Sequence, residues 1–305
     1  MAIPSSGTIS LAGIRAELAT NTYNASATTT ASLEDCSDGT VATINTGNAS
    51  GDRPNGSAPH AMSEFYAYDH DVSSFTDNIS FDFDGTNDYL EGSGNLSSAI
   101  SVSTGSISTW IKIDSMSANG LIWSINTEEG STDQIFLLWH NASGVVRSNF
   151  KGGNVSNIAD SSTGLENDNT WHHFVVTWQA VSKASGNIIK IYQDGSLQDS
   201  DAIGTIYSGG SATFGFGRNK LQNYGQNFNG HMNDMAIFND VLTSSEVSSI
   251  YNSGAPKDES GHSGLIAYYT LENYSNGDTT VADDSSNSYA LTITNSTDID
   301  STDTP

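Results

Sequence analysis

Between residues 106 and 113 the run SISTWIKI sets Ile107, Thr109, Ile111 and Ile113 on one side of an extended chain and Ser108, Trp110 and Lys112 on the other. A period of two marks a half-buried strand. LIWSI, IFLLW, GVVRSNF, WHHFVVTW, IIKIYQDG, SATFGFG and HMNDMAIF follow, each bounded by Gly, Asn or Asp. Short apolar runs punctuated by turn residues, with no long helical pattern among them, predict an all-β sandwich from about residue 75 onward. One helix interrupts it at LTSSEVSSIYNSG (242–254). Thr243 and Glu246 make a capping box, Val247, Ile250 and Tyr251 share a face, and Gly254 supplies a stop. A single late helix of this kind is expected to cover one end of the sandwich.

Residues 1–72 have a different texture. In SLAGIRAEL (10–18), Ser10 is placed to cap a helix whose one face carries Leu11, Ile14 and Leu18. A Thr/Ser/Ala stretch and a Gly/Asn/Pro-rich loop follow, and few large apolar residues occur before Phe65. The segment is therefore expected to lack an independent core, and to pack against neighbouring chains or whatever carries the protein.

In TWHHFVVTWQ (170–179) alternation sends Trp171, His173, Val175 and Thr177 to one face and His172, Phe174, Val176 and Trp178 to the other. Two histidines on opposite faces cannot easily grip one metal. Bulky apolar groups on both faces predict a central strand, covered on each side, with structural histidines.

Charge changes the picture of partners. The 305 residues carry 10 Lys+Arg against 35 Asp+Glu, a formal charge of -25. Such acidity repels phosphate backbones and anionic lipid, so neither nucleic-acid nor membrane-surface binding is expected. Cys36 is the single cysteine and has no disulfide partner in its own chain; it reads as a small buried apolar residue. The N-terminus shows no secretory signal and no stretch approaches the ~20 apolar residues of a membrane helix, so membrane insertion is not expected, and the chain is expected to be made in a cytoplasm and to stay soluble.

SFDFDGTNDYLEG (80–92), TWHHFVVTW (170–178), IKIYQDGSL (189–197) and GHMNDMAIFNDVLTSSEVSSIYNSG (230–254) fall in the order and spacing of laminin G-like domains. The resemblance covers about residues 78–254. It implies a concanavalin A-like jelly roll with one short helix, preceded by a small irregular N-terminal segment. GLIAYYTLENYSNGDTTVADDSSNSYALTI (264–293) resembles the opening strands of such domains but follows the helix here. Either these strands complete a circularly permuted sandwich or a vestigial repeat trails behind it. IPSSGTISLAGIRAEL and APHAMSEFYAYDH, with the ending TNSTDIDSTDTP, resemble segments of bacteriophage virion proteins, notably marine ones. The division this suggests is a virion-attachment or oligomerisation segment, residues 1–72, and a jelly-roll domain, residues 73–305.

Glycanases on such folds need two carboxylates across the scissile bond. No Glu-x-Asp-x-x-Glu run is present, Glu128 and Glu129 are adjacent, and Asp82 and Asp84 belong to the FDG turn motif; the chain is expected not to be an enzyme. The resemblance implies Ca²⁺ as a cofactor, with Asp84, Asp88 and Asp234 as candidate ligands; the alternative is that Asp84 and Asp234 accept backbone N–H bonds in turns. For sugar stacking the aromatic candidates are Trp123, Trp139, Tyr207, Tyr224 and Phe228. Tyr224 leads, with Asn223 and Asn227 beside it, because LQNYGQNFNG (221–230) is too polar for a core strand.

The function expected from these features is that of a non-enzymatic phage tail-fibre or appendage adhesin located in the virion. It would form a homo-oligomer, a trimer favoured, attached to other virion proteins through residues 1–72 and presenting the jelly roll to host surface polysaccharide or protein. A capsid decoration or head-fibre protein, and a bacterial carbohydrate-binding module, are the competing expectations.

Overall fold

The short apolar runs become strands that pair, all antiparallel, into two eight-stranded sheets. The computed structural model describes residues 3–305 except 24, 27–29, 46, 49–51, 71–74, 76, 102, 116–118, 128–133, 153–154, 162–164, 166–168, 180–187, 203–211, 219–225, 275–276, 295–298 and 301–302. The first sheet has the order β10 (Ser196–Ala202), β9 (Ile188–Gln193), β8 (Trp171–Gln179), β3 (Thr104–Ile113), β12 (Asn229–Phe238), β1 (Ser80–Asp84) and β16 (Ile299–Asp300). β13 (Leu265–Tyr269) also pairs with β12. The second sheet runs β14 (Thr280–Val281), β15 (Leu291–Thr294), β2 (Tyr89–Gly92), β11 (Ala212–Phe216), β4 (Gly120–Thr127), β5 (Gln134–His140), β6 (Val146–Gly152) and β7 (Val155–Asp160). The FDG turn carries the chain from one sheet to the other, since β1 and β2 lie in different layers.

The core fills the space between the sheets. Phe81, Phe174, Val176 and Trp178 of the first layer join Trp123, Ile125, Phe150 and Phe214 of the second in one cluster of buried side chains. The indoles of Trp123 and Trp178 lie 6.5 Å apart.

The C-terminal strands belong to this sandwich. β13 pairs with the second half of β12, β16 with β1, and β15 with β2. β1 takes residues 229–232 of β12 and β13 takes 235–238 along the same edge. At the changeover Asp234 adopts a left-handed backbone (φ 49°) and the register against β3 shifts, a bulge that lets two strands share one neighbour.

SISTWIKI is buried on both faces rather than half-buried. Ile107 and Ile111 join the inter-sheet core, while Trp110, 2% exposed, lies on the outer face. Its cover is α4, Ser244–Tyr251 (a label that follows α1, Leu11–Thr20, α2, Leu33–Ser37, and α3, Gly94–Ala99). Tyr251 stacks on Trp110 at 5.8 Å and on His173 at 6.1 Å. The helix therefore covers the outer face of the first sheet instead of an end of the sandwich. Its capping box is formed as the pattern predicts, with Thr243 N donating to Glu246 at 2.7 Å and Glu246 N to Thr243 Oγ1 at 3.3 Å. The stop is Asn252 in the left-handed region, two residues before Gly254. The Asp-Gly hairpin between β9 and β10 also forms, with left-handed backbones at Asp194 (φ 50°) and Gly195 (φ 75°), the signature of a type I′ turn.

Residues Met1–Thr76 form a separate compact unit from Asp77–Pro305. Contrary to expectation, the first unit has its own small core of Ile3, Ile9, Ile14, Leu18, Cys36, Phe65 and Tyr68. Phe65 and Tyr68 meet edge to face at 5.9 Å, and these two late aromatics supply the apolar volume that residues 1–64 lack. Ser10 caps α1 by accepting from Gly13 N at 3.0 Å, and Cys36 is fully buried.

Candidate functional site

Alternation along β5, β6 and β7 separates core side chains from a polar row on the outer face of the second sheet. Leu138 and His140 of β5 are buried, whereas Trp139 between them is half-buried. On β6, Val146, Ser148 and Phe150 are buried and Arg147 points the other way; on β7, Ala159 is buried and Asp160 is not. The register pairs Trp139 with Arg147 and Arg147 with Asp160, so the three side chains line up across adjacent strands.

Their contacts are specific. Arg147 Nε donates to Asp160 Oδ1 at 2.6 Å and Nη2 donates to Oδ2 at 2.8 Å, a two-pronged pair that fixes the guanidinium plane. That cation lies 5.5 Å from the centre of the Trp139 ring, within reach of its π face. Hydrogen bonding to Asp160 holds the Arg147 guanidinium above its already high pKa. The pair remains accessible, with 26% of the Arg147 and 36% of the Asp160 side chain exposed. At the other end of the row Leu121 pairs with Trp139, and Asn227 forms a parallel bridge to Leu121. Beyond β7, Asp199 and Asp201 of β10 accept from the backbone N–H groups of Asp160 and Ile158, each at 3.1 Å, closing that edge. A flat indole beside a planar donor fork and carboxylate acceptors can stack on the C–H face of a sugar ring and bond its hydroxyls.

The candidates read from the sequence fare unequally. Trp123 is fully buried against Trp178, and Phe228 is fully buried between Phe83 and His140; neither offers a face to a ligand, because both point between the sheets. Tyr224, Asn223 and Tyr207 lie outside the described residues. Asn227 is half-buried near the row, and its side-chain amide donates to the carbonyl of Thr86. Trp139 is the aromatic candidate that the structure places beside charged groups. Arg147 and Asp160 were not singled out. The available signal was the arginine within GVVRSNF, a strand cation in a chain with only 10 basic residues.

The proposed calcium ligands are not gathered at one point. Asp84 accepts from Thr86 N at 2.6 Å and Asn87 N at 3.1 Å, and Asp88 accepts from Asp84 N at 3.0 Å. The turn role is the one seen. Asp84 pairs with Asn229 of β12, and Asp234 lies five residues further along that strand, about 16 Å away at strand rise. Asp234 is fully buried and accepts from the Tyr268 hydroxyl. Burial raises its carboxyl pKa well above the usual range, as it does for Glu259. Glu128 and Glu129 lie outside the described residues.

The paired histidines divide between faces as alternation predicts. His172 Nδ1 meets Asp194 Oδ2 at 2.7 Å. His173 is fully buried, meets Ser108 Oγ through Nε2 at 2.8 Å, and is held at a pKa of about 3 by desolvation.

The concanavalin A-like lectin/glucanases superfamily profile matches residues 84–248, more than half of the chain, and the chain belongs to that superfamily. Among solved structures it is similar to a candidate carbohydrate-binding protein from Bacteroides ovatus, at 17% identity and a TM-score of 0.52, over 76% of this chain and 62% of that one. It thus spans about three fifths of that protein. Weaker likenesses include the SAP-like pentraxin of Limulus polyphemus (14% identity, TM-score 0.41, 57% of this chain and 82% of that one). Another is the CBM40 of the Ruminococcus gnavus IT-sialidase, solved with α2,3-sialyllactose (15%, 0.42, 58% and 100%). No curated protein matches. Among the described residues no helix is long and apolar enough to cross a membrane.

Proposed function

We propose that the sandwich binds glycan through the row Trp139, Arg147 and Asp160, and that the chain is a non-enzymatic bacteriophage virion protein. In this reading it serves as a tail-fibre or appendage adhesin for host surface polysaccharide. The observation that carries the binding role is the accessible indole held beside a two-pronged Arg–Asp pair. The fold shared with a candidate carbohydrate-binding protein is in keeping with it. The virion assignment rests on the short resemblances of residues 3–18, 58–70 and 294–305 to phage structural proteins. In this role the N-terminal unit attaches the chain to the particle, and homo-oligomerisation multiplies a weak sugar contact into useful avidity.

The deciding experiment measures binding of the full chain, and of Trp139→Ala, to intact host cells and to polysaccharide extracted from them. Binding that the substitution abolishes supports the adhesin. Absence of binding to cells and polysaccharide, or binding unaffected by the substitution, overturns the proposed site. Imaging the protein on the particle by electron microscopy separates a tail position from a capsid one.

A further inference from the structure

A second polar row crosses the outer face of the first sheet, in the other layer from the indole–arginine row. β8, β3, β12 and β1 lie side by side there, and their register aligns Trp171 with Lys112, Lys112 with His231, and His231 with Asp82. Asp114 follows directly after β3, and its N–H donates to Asn229 O at 3.2 Å, extending the pairing with β12. One ligand-capable atom from each of Asp82, Asp114 and His231 lies within 4.8 Å of the other two.

The surroundings orient these groups. His231 is 6% exposed; its Nδ1 lies 3.5 Å from Ser80 Oγ and its Nε2 3.3 Å from Asp114 Oδ2. A serine oxygen on Nδ1 can accept the ring proton and so leave Nε2 as a lone-pair donor, the usual arrangement behind a metal-bound imidazole. Lys112, the cation in the row, gives its ammonium to Asp303, which also accepts from Trp171 Nε1 at 2.8 Å. With Lys112 engaged in that way, the carboxylates of Asp82 and Asp114 beside the His231 ring form a locally anionic corner. β1 and β12 fix the backbone under Asp82 and His231, and the Asp114 N–H bond to Asn229 anchors the third group, so little backbone freedom remains to be lost on binding.

We propose that Asp82, Asp114 and His231 form a binding site for one divalent cation of the zinc class. Donors at ~2.0–2.2 Å from an ion stand roughly 3.4 Å from one another, a spacing these atoms reach by small side-chain rotations. An imidazole with two carboxylates suits Zn²⁺ better than Ca²⁺, which favours six to eight oxygen ligands. Three protein ligands leave a fourth position for water or another ligand atom, and Asp114 is exposed to solvent. Bound metal clips β1, β3 and β12 together at the heart of the sheet.

The test titrates the chelator-treated full chain with Zn²⁺, Ca²⁺ and Mg²⁺, by calorimetry and by thermal melting. The expected result is one Zn²⁺ per chain and a rise in Tm that chelator reverses, with Zn²⁺ bound more tightly than the other two ions. Asp114→Asn should weaken Zn²⁺ binding about tenfold or more with the metal-free Tm little changed, and His231→Gln should abolish it. No uptake, uptake equal in Asp114→Asn and the parent chain, or a preference for Ca²⁺ overturns the site. Asp114 is exposed, so its substitution does not depend on the chain tolerating a change in the core. Zn²⁺ binding and glycan binding are read separately, so failure of one leaves the other standing.

Discussion

Trp139 and Arg147 face one another across β5 and β6, with the guanidinium 5.5 Å from the indole centre and locked in plane by Asp160. The indole is half-buried on the outer face, so its removal should cost only about 1–2 kcal/mol of stability. If it is the stacking platform, Trp139→Ala should lower glycan affinity by at least about tenfold. Calorimetry on the ligand and melting of the same sample separate the two effects.

Arg147→Lys keeps the charge but loses the planar fork. Because both partners are partly exposed, the stability change should stay within about 1 kcal/mol. Glycan affinity should nevertheless fall, measured against the same polysaccharide; an unchanged affinity would remove Arg147 from the site.

Gly230 lies in β12 between β1 and β3 with φ +145°, and a Cβ built on it would stand 2.2 Å from the carbonyl of Lys112. That neighbour is backbone and cannot swing aside. Gly230→Ala should destabilise the sandwich by roughly 2–4 kcal/mol, read by chemical denaturation.

His140 is buried, and desolvation holds its pKa at about 4 against 6.5. The unfolded chain therefore binds a proton in the window from pH 6.5 down to about 4 that the folded one refuses. This depressed pKa contributes stability that is intact above pH 6.5 and lost across that window, up to about 3 kcal/mol. Asp77 acts in the opposite sense: burial raises its pKa from 3.8 to about 6, so its contribution is present at low pH and lost as pH rises through 6. The net slope mixes both with His173, which acts like His140, and with Asp234 and Glu259, which act like Asp77. The difference between His140→Leu and the parent chain isolates the histidine, and the variant should gain on the parent steadily as pH falls from 6.5 to 4.

A chain ending at Gly254 lacks β13, β15 and β16, which pair with β12, β2 and β1, and with them the buried Ile266, Tyr268, Tyr269 and Leu291. It should not melt cooperatively. Retention of the full Tm would mean that these strands are dispensable.

Much of the fold was legible because its signals are local. Alternation in TWHHFVVTWQ assigned each side chain to a face, and the Thr243–Glu246 box and the Asp194-Gly195 turn each involve residues within three positions of one another. The N-terminal core was missed because Phe65 and Tyr68 close over Ile14 and Leu18 from some fifty residues away. The turn role of Asp84 was legible, but the separation of Asp234 from it depended on a register that only strand pairing reveals.

Local pattern is enough to say where strands run, how the late helix is capped and which side chains share a face, because those follow from backbone geometry repeating every two to four residues. It could not determine which outward-facing side chains stay accessible. Trp110 and Trp139 both point away from the inter-sheet core, and no local pattern tells them apart. Tyr251 on α4 covers the first, while the second keeps a partly open face beside Arg147. That distinction is tertiary, because exposure at one position is decided by which distant segment packs over it.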